Sequence, residues 1–378
     1  MPPRLNDVAA AAGTRADEIE ALRRLPPDLV DALVDTGAFK LWVAEKYGGV
    51  QGHVNDLLDA VELASYHDGS TGWCVMIGGT TGLTSGALPP EHGHTVFADA
   101  SAVTGGFGMP SGTAVAVDGG LRVTGRWAWG SGIAHCTAIG GGVRIVDDQG
   151  KPAPLADGTA APFVFFDLVD VEILDTWYAS GLKGTGSTDY EVVDAFVPDG
   201  RWVNLVSREP VVDHPLYRFS FFGALAVGVA SVTVGLARRA VDELIGLGDK
   251  MPSGSTRRLS ERPAVQADVA EADAAVRASR AFMREAVDEC WAGAEEGRVT
   301  DEQVRLLRLA ANHAVERCTG AVDLCYGAAG GTAVYASSPL QRVFRDVHVA
   351  TQHGMVAPRV MEPLGRMLFG LDTDTRQL

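Results

Sequence analysis

The chain has 378 residues, 46% of them hydrophobic and 21% charged, the balance of a globular protein long enough for two or three core-forming layers or subdomains. A formal net charge of -16 argues against nucleic acid and against anionic membrane surfaces as partners. The N-terminal MPPRLNDVAAAAGTRADEIE lacks a signal-peptide core, and no uninterrupted apolar run is long enough to span a bilayer, so the expectation is a cytoplasmic protein with no membrane partner.

In chain order, Thr14 to Gly37 reads as one helix, because Leu22, Leu25, Leu29, Leu33 and Val34 recur at helical spacing and Gly37 stops the run. LWVAEKYGGVQG, Leu41 to Gly52, is a compact loop. A second helix follows Asn55, with Leu57, Leu58, Val61, Leu63 and Ala64 facing inward. Asp68-Gly-Ser-Thr71 reads as a turn and N-cap, and a small-residue helix starts near Gly72-Trp73. Its Gly/Thr-rich end, Gly78 to Gly86, predicts close packing, and Leu88-Pro89-Pro90-Glu91 breaks it.

From about Ser101 the period changes. TAVAVD, LRVTGRW, CTAIGGGVRIVD, PFVFFDLV, VEILDTW and DYEVVDAFVP are short, mostly alternating runs separated by Gly, Pro or Asp, which predicts an antiparallel all-β block of roughly a hundred residues. Gln149 to Pro162 is an exposed loop within it, and Pro198 closes it. From Tyr217 the chain is helical again. Phe222 to Gly248 is a long, nearly all-apolar helix, expected at the centre of a bundle; Lys250 to Pro263 is a basic loop. Helices over about Ala264 to Gly297 and Thr300 to Tyr326 follow, then a final helical segment.

Five cysteines, at 74, 136, 290, 318 and 325, form no CxxC and have no paired histidine spacing, so reduced thiols are expected, with neither disulfide nor zinc site. Cys318 and Cys325 are seven apart and are expected to share a buried helix face. GGFGMPSG, Gly105 to Gly112, contains GxG, but Pro110 and the missing helix remove any phosphate cradle, and Gly184-Thr-Gly186-Ser-Thr leads into a strand. There is no Rossmann fingerprint, P-loop, HExxH or GxSxG.

One stretch stands apart: Asp118 to Cys136, DGGLRVTGRWAWGSGIAHC. Asp118-Gly119-Gly120 supplies a hairpin turn, and Leu121-Arg122-Val123-Thr124 alternates as a half-buried strand. Trp127 and Trp129 then run into Gly130-Ser131-Gly132. An indole, close backbone amides and a hydroxyl suit a planar ring; the same pattern fits a core tryptophan followed by an ordinary turn.

The helix–sheet–helix order, together with LWVAEKYGG, DGSTGW (Asp68 to Trp73), PSGTAVAVDGGLRVTGRWAWGSGIAHC (Pro110 to Cys136), DTWYASGLKGTGSTDYEVVDAFVP (Asp175 to Pro198), ERPAVQADVAEADAAVR (Glu261 to Arg277) and GAAGGTAVYASSPLQRVFRDVHVATQH (Gly327 to His353), resembles the acyl-CoA dehydrogenase fold. More narrowly it resembles the flavin-dependent monooxygenases of that fold, the oxygenase components of two-component hydroxylases. The resemblance covers nearly the whole chain. It implies an α+β fold: an N-terminal helical domain (1–100), a central antiparallel β-barrel or sandwich domain (101–205) and a C-terminal four-helix bundle (206–378).

The resemblance further implies reduced FMN or FAD supplied by a separate flavin reductase, dioxygen as co-substrate, a small aromatic, polyketide or amine substrate, and a homotetramer or dimer. His353 and Ser131 are the catalytic candidates it points to. Trp129, Ser131, Gly132, Trp177, Thr185 and Ser187 are flavin-site candidates, with Ser131 near the N5 and C4a edge. Arg262 in the basic loop is a phosphate candidate, and Arg342 and Arg345 would act across a subunit interface. His348 is expected to face elsewhere. Two departures stand out. The dehydrogenases' catalytic glutamate would fall at or beside Gly354, with Glu362 about two turns too late. The second histidine of phenol hydroxylases would fall near Thr80 and Thr81. The alternatives are an acyl-CoA dehydrogenase or FAD oxidase with a displaced base, and a non-catalytic ligand-binding protein of the same fold.

Overall fold

The computed structural model describes residues 2, 4–206, 209–376 and 378. Six helices come first: α1 (Leu5–Thr14), α2 (Ala16–Leu22), α3 (Pro27–Thr36), α4 (Val54–His67), α5 (Gly69–Thr81) and α6 (Pro90–Phe97). The single helix expected over Thr14 to Gly37 is two. Arg23 turns left-handed (φ 53°) and Pro27 opens α3, because proline has no N–H for a continuous helix. The expected cap at Asp68 is present: its carboxylate accepts from the Thr71 N–H and hydroxyl at 2.7 Å, and α5 starts at Gly69, a turn earlier than the sequence suggested.

Seven strands follow: β1 (Thr104–Val117), β2 (Gly120–Gly130), β3 (Ala138–Val146), β4 (Phe163–Phe166), β5 (Val171–Leu174), β6 (Thr188–Pro198) and β7 (Trp202–Val203). They form one sheet in the order β5-β6-β2-β1-β3-β4-β7. This corrects the expected antiparallel barrel or sandwich. The sheet is open, with β5 and β7 at its edges, and it is mixed, since β1 pairs with β3 in parallel. The cause is local: β1 and β2 form the hairpin read from Asp118-Gly119-Gly120, after which a 3-10 turn at Ile133–His135 carries the chain to the other side of β1. GGFGMPSG lies inside β1, where two register shifts accommodate Pro110.

Trp127 fixes the centre of the sheet. It is fully buried, stacks on Tyr190 (5.3 Å, 16°) and donates from Nε1 to the Gly142 carbonyl at 2.8 Å. Gly112, Gly125 and Gly141 make room for the indole; a Cβ at any of them would come within 2.5–2.8 Å of its ring atoms. That accounts for the glycines that interrupt the alternating pattern.

The rest is helical: α7 (Pro215–Arg218), α8 (Phe221–Gly246), α9 (Pro263–Glu295), α10 (Asp301–Ala329), α11 (Pro339–Ala350) and α12 (Met361–Leu368). The expected C-terminal unit also takes in Ser207 and Arg208, which lie outside the described residues. α10 packs along α8 and α9, α11 packs on α8 and α10, and α4 and α5 close over α8. α8 is long and apolar enough to cross a membrane, but 78% of its most apolar window is buried inside the protein. Its small residues permit close contact: a Cβ on Gly235 would sit 2.4 Å from the Glu62 carbonyl of α4. All five cysteines are buried free thiols, Cys318 and Cys325 together on the inner side of α10.

Candidate active site

The site is built where β2 and β6 both lose their register. The pairing skips Ala128 and Trp129, and Trp129 adopts a left-handed backbone (φ 60°) that is costly for a bulky side chain. The Ser131 N–H closes onto the Trp129 carbonyl (2.8 Å), and opposite it the Thr188 N–H closes onto the Gly186 carbonyl (2.7 Å). Two tight turns on neighbouring strands therefore face each other. The outcome splits the two tryptophans: Trp127 is core, whereas Trp129 is turned outward and 62% exposed, with Phe107 against its edge at 5.6 Å.

Trp129, Thr176, Trp177, Tyr178, Ala179, Ser187 and Asp189 line a cleft of about 210 Å³. Trp177 is not a sheet-core residue. It follows β5, and its Nε1 donates to the Leu182 and Lys183 carbonyls (3.3 and 3.1 Å). Arg23, just past α2, stacks over Tyr178 (4.2 Å) and pairs with Asp175 (2.7 Å), joining the rim of the cleft to the first helices.

Behind Ser187 runs a chain of hydroxyls whose direction is fixed by its ends. The Thr185 hydroxyl donates to the Leu182 carbonyl (2.8 Å), so its single hydrogen is committed. Ser187, 2.6 Å away, must donate to Thr185, and Ser131, 2.7 Å further, must donate to Ser187. Ser131 accepts from Trp73 Nε1 at 3.0 Å. One lone pair of Ser131 Oγ is left over, so this atom is disposed to accept from an N–H. Gly132, left-handed at φ 70°, anchors the turn through its N–H on the Thr185 carbonyl (2.7 Å).

Trp73 also joins this chain to His353, whose ring lies edge-on to the indole at 5.7 Å. His353 caps the 3-10 turn Gly354–Val356, its Nδ1 accepting from the Met355 N–H at 3.3 Å. An accepting Nδ1 places the imidazole proton on Nε2. His353 keeps some residue exposure, yet burial pushes its ring down to about 4, and the nearby Arg308 guanidinium pushes the same way. The ring is therefore neutral at physiological pH.

The remaining candidates have other places. Arg342 pairs with Asp17 and with Glu20 (3.6 Å), and Arg345 pairs with Glu20 (2.8 Å) and donates to the Ser180 carbonyl (2.6 Å). Both are thus engaged within the chain. Arg262 occupies the residue before α9, in the bundle, and its side chain makes no cap hydrogen bond there. His348 bonds Asp323 of α10 at 2.9 Å, away from the cleft as expected. The Thr80 and Thr81 hydroxyls donate to the Met76 and Ile77 carbonyls (2.7 and 2.9 Å), so neither stands in for a second histidine. Glu362 is exposed on α12, and Gly354 has no acid beside it in sequence.

Sequence reasoning missed Trp73 as a donor, although DGSTGW was singled out, and it missed His135. The latter lies against Phe39 (6.0 Å) beside Gly132, and burial pushes it down to about 4. Its distance of four residues from Ser131 was the available signal.

With this geometry in view, the chain can be set beside known proteins. Residues 227–358 match the family model described as acyl-CoA dehydrogenase, C-terminal domain. The chain is 30% identical to indole-3-acetate monooxygenase of Pseudomonas putida, over 94% of this chain and 90% of that protein. It is 30% identical to the flavin-dependent monooxygenase oxygenase subunit HsaA of Rhodococcus jostii, over 98% and 99%. Among solved structures, XiaF from Streptomyces sp. in complex with FADH2 and glycerol superposes with a TM-score of 0.89 at 27% identity, covering 98% and 96%. The 3-HSA hydroxylase of Rhodococcus sp. RHA1 gives 0.89 at 28%, covering 99% and 98%.

Proposed function

We propose, from the premise that the chain belongs to the flavin-dependent monooxygenases of the acyl-CoA dehydrogenase fold, that the Trp129–Ser187 cleft seats the flavin ring and that His353 faces the substrate. The chain is a flavin-dependent oxygenase component. Reduced flavin, when bound, activates dioxygen and passes one oxygen atom to the substrate. The residues present suit such a ring: an outward indole at Trp129, a second aromatic wall at Trp177 and a hydroxyl at Ser187, with Ser131 bonded behind it.

The observation that carries the reading is the one-way hydroxyl chain. Because Ser131 gives its hydrogen to Ser187, it offers a lone pair to an N–H at the edge of a reduced ring, the form in which N5 bears hydrogen. Thr185 and Ser187 hold that orientation, and Gly132 keeps the turn closed. His353 presents Nε2–H and acts as a neutral hydrogen-bond donor toward a substrate oxygen or nitrogen. With its proton on Nε2, that nitrogen is not poised as a base. Trp73, held between Ser131 and His353, keeps water from the space between them.

The substrate is proposed to be aromatic, as the names of the relatives suggest, with Trp73 and Phe107 as ring contacts. The flavin is FAD or FMN, delivered by a separate reductase. A phosphate at Arg262 would be held across a subunit seam, because α9 packs on α4, α8 and α10 rather than on the sheet. The assembly is proposed to be a homotetramer, or a dimer. Ile245, Met251, Val334 and Tyr335 stay exposed around the Lys250–Thr332 contact and supply an apolar surface for it, which light scattering would size. Five buried free thiols suit a reducing, cytoplasmic location.

The dehydrogenase alternative lacks a carboxylate at Gly354. The functional test is turnover of indole-3-acetate and related aromatics with reductase-fed flavin under heavy-oxygen dioxygen. One labelled atom in the product supports the reading, and substrate recovered unlabelled beside full flavin oxidation counts against it.

A further inference from the structure

The hydroxyl chain ends at Leu182, and Leu182 is itself held in a left-handed backbone (φ 47°, ψ 35°) that a buried leucine does not adopt unaided. Its carbonyl accepts from the Thr185 hydroxyl (2.8 Å), the Thr185 N–H (3.1 Å) and Trp177 Nε1 (3.3 Å). Its N–H donates to Asp346 Oδ1 at 2.6 Å, from a helix 164 residues further along the chain. We propose that Asp346 is a positioning residue for the flavin edge: by fixing Leu182 it sets the direction of the Leu182–Thr185–Ser187–Ser131 chain. The proposal rests on the reading that Ser131 faces the flavin.

The contact is built over three successive residues. Arg345 Nη1 donates to the Ser180 carbonyl (2.6 Å), Gly181 lies so close to α11 that a Cβ would sit 2.4 Å from the Arg345 carbonyl, and Asp346 takes the Leu182 N–H. The other carboxylate oxygen of Asp346 lies against Gly69, where a Cβ would come to 3.0 Å. Gly69 opens α5, the helix that carries Trp73, and its cap is a second buried carboxyl, Asp68. Both ends of the chain, the Trp73 donor and the Leu182 acceptor, are thus set by a buried carboxyl, and the two carboxyls line one small cavity of about 60 Å³.

The groups facing Asp346 are Asp68 at the start of α5, Glu20 of α2, Arg342 and Arg345 of its own helix, and His67 and Arg239 across the cavity. Burial pushes Asp346 up to about 7 against the pull of the Leu182 N–H, and the charges of Asp68 and Glu20 push it up further against Arg345. Ionisation therefore strengthens the Leu182 N–H bond, since that donor favours the charged carboxylate, and seats Leu182 more firmly on α11. A neutral side chain at this position is free of that effect.

The test is the affinity of the whole protein for photoreduced FMN and FAD, anaerobically, at about pH 6 and about pH 8. Ser131→Ala is measured first: weakened binding establishes the premise, while no binding by the wild type, or an unaffected Ser131→Ala, overturns premise and proposal together. Asp346→Asn keeps an acceptor for Leu182 and is expected to bind about tenfold more tightly than Asp346→Ala. The ratio of wild-type to Asn dissociation constants, in which titration of the flavin cancels, is expected to fall several-fold from about pH 6 to about pH 8. A flat ratio, with Asn and Ala alike, overturns the proposal. If Asp346→Ala does not fold, the Asn ratio alone decides it.

Discussion

At the scale of single residues, the proposed function divides the work between Ser131 and His353, and their separation is measurable. His353→Ala is expected to leave reduced-flavin affinity within about threefold while lowering oxygen transfer roughly a hundredfold, the usual weight of one positioned donor or acid. His353→Gln, which retains an N–H, should recover part of that loss. Equal loss in both variants would show that the Nε2 proton inferred from the Met355 contact is not what matters. Both candidates were visible in the sequence because a hydroxyl between glycines and a histidine near the family's expected position are local signals. Trp73 and Leu182 were not. A tryptophan donor and a left-handed leucine acquire meaning only from partners 58 and 164 residues away in the sequence, and no spacing rule reports those contacts. Arg342 and Arg345 follow the same rule: an arginine's charge shows in the sequence, but the Glu20 and Asp17 that pair with it do not.

Among the elements, glycine placement decides how closely the parts approach. Gly112→Ala should destabilise the protein by about 1–3 kcal/mol, since its Cβ would press 2.5 Å from the Trp127 ring in a strand that cannot yield. Trp127→Ala should cost more, about 3–5 kcal/mol. Denaturant melts of both variants check the order, and a Gly112→Ala protein as stable as the wild type would mean the indole is not clamped there. Elements with strong periodicity were read correctly to within a few residues: α4, α8, α9 and α10 all fall near their expected ranges. The failures were topological. Alternation marks a strand but not its neighbour, so the parallel β1–β3 pair and the open sheet were invisible, as was the extension of β1 through Pro110. The break between α2 and α3 was visible in Pro26-Pro27 but outweighed by the leucine spacing.

For the molecule as a whole, buried titrating groups set opposing slopes of stability with pH. His353 and His135 are held near 4, below the ordinary value of 6.5, so the unfolded chain takes up protons first and stability falls as pH drops from about 6.5 toward 4. His53, His67 and His214, lowered chiefly by burial, add to this. Asp346 acts the other way. Raised from 3.8 to about 7, it contributes stability that is full below about pH 4 and is lost as pH rises toward 7. Burial raises Asp68 as well, but the five histidines outnumber the two carboxyls, so the net expectation is acid lability below about pH 6, with Asp346→Asn steepening the fall. Thermal melts across this range check the sign, and a protein more stable at about pH 5 than at about pH 7 would contradict it. The proposed function requires this chain to bind reduced flavin at Trp129 and to control its reaction with oxygen. The most direct measurement is anaerobic titration with reduced FMN and FAD, followed by rapid mixing with aerated buffer while tryptophan fluorescence and flavin absorbance are recorded. Saturable quenching that Trp129→Phe diminishes, with bound flavin reoxidising more slowly than free flavin, is the predicted result. Binding of neither flavin, or reoxidation at the free rate, would contradict it.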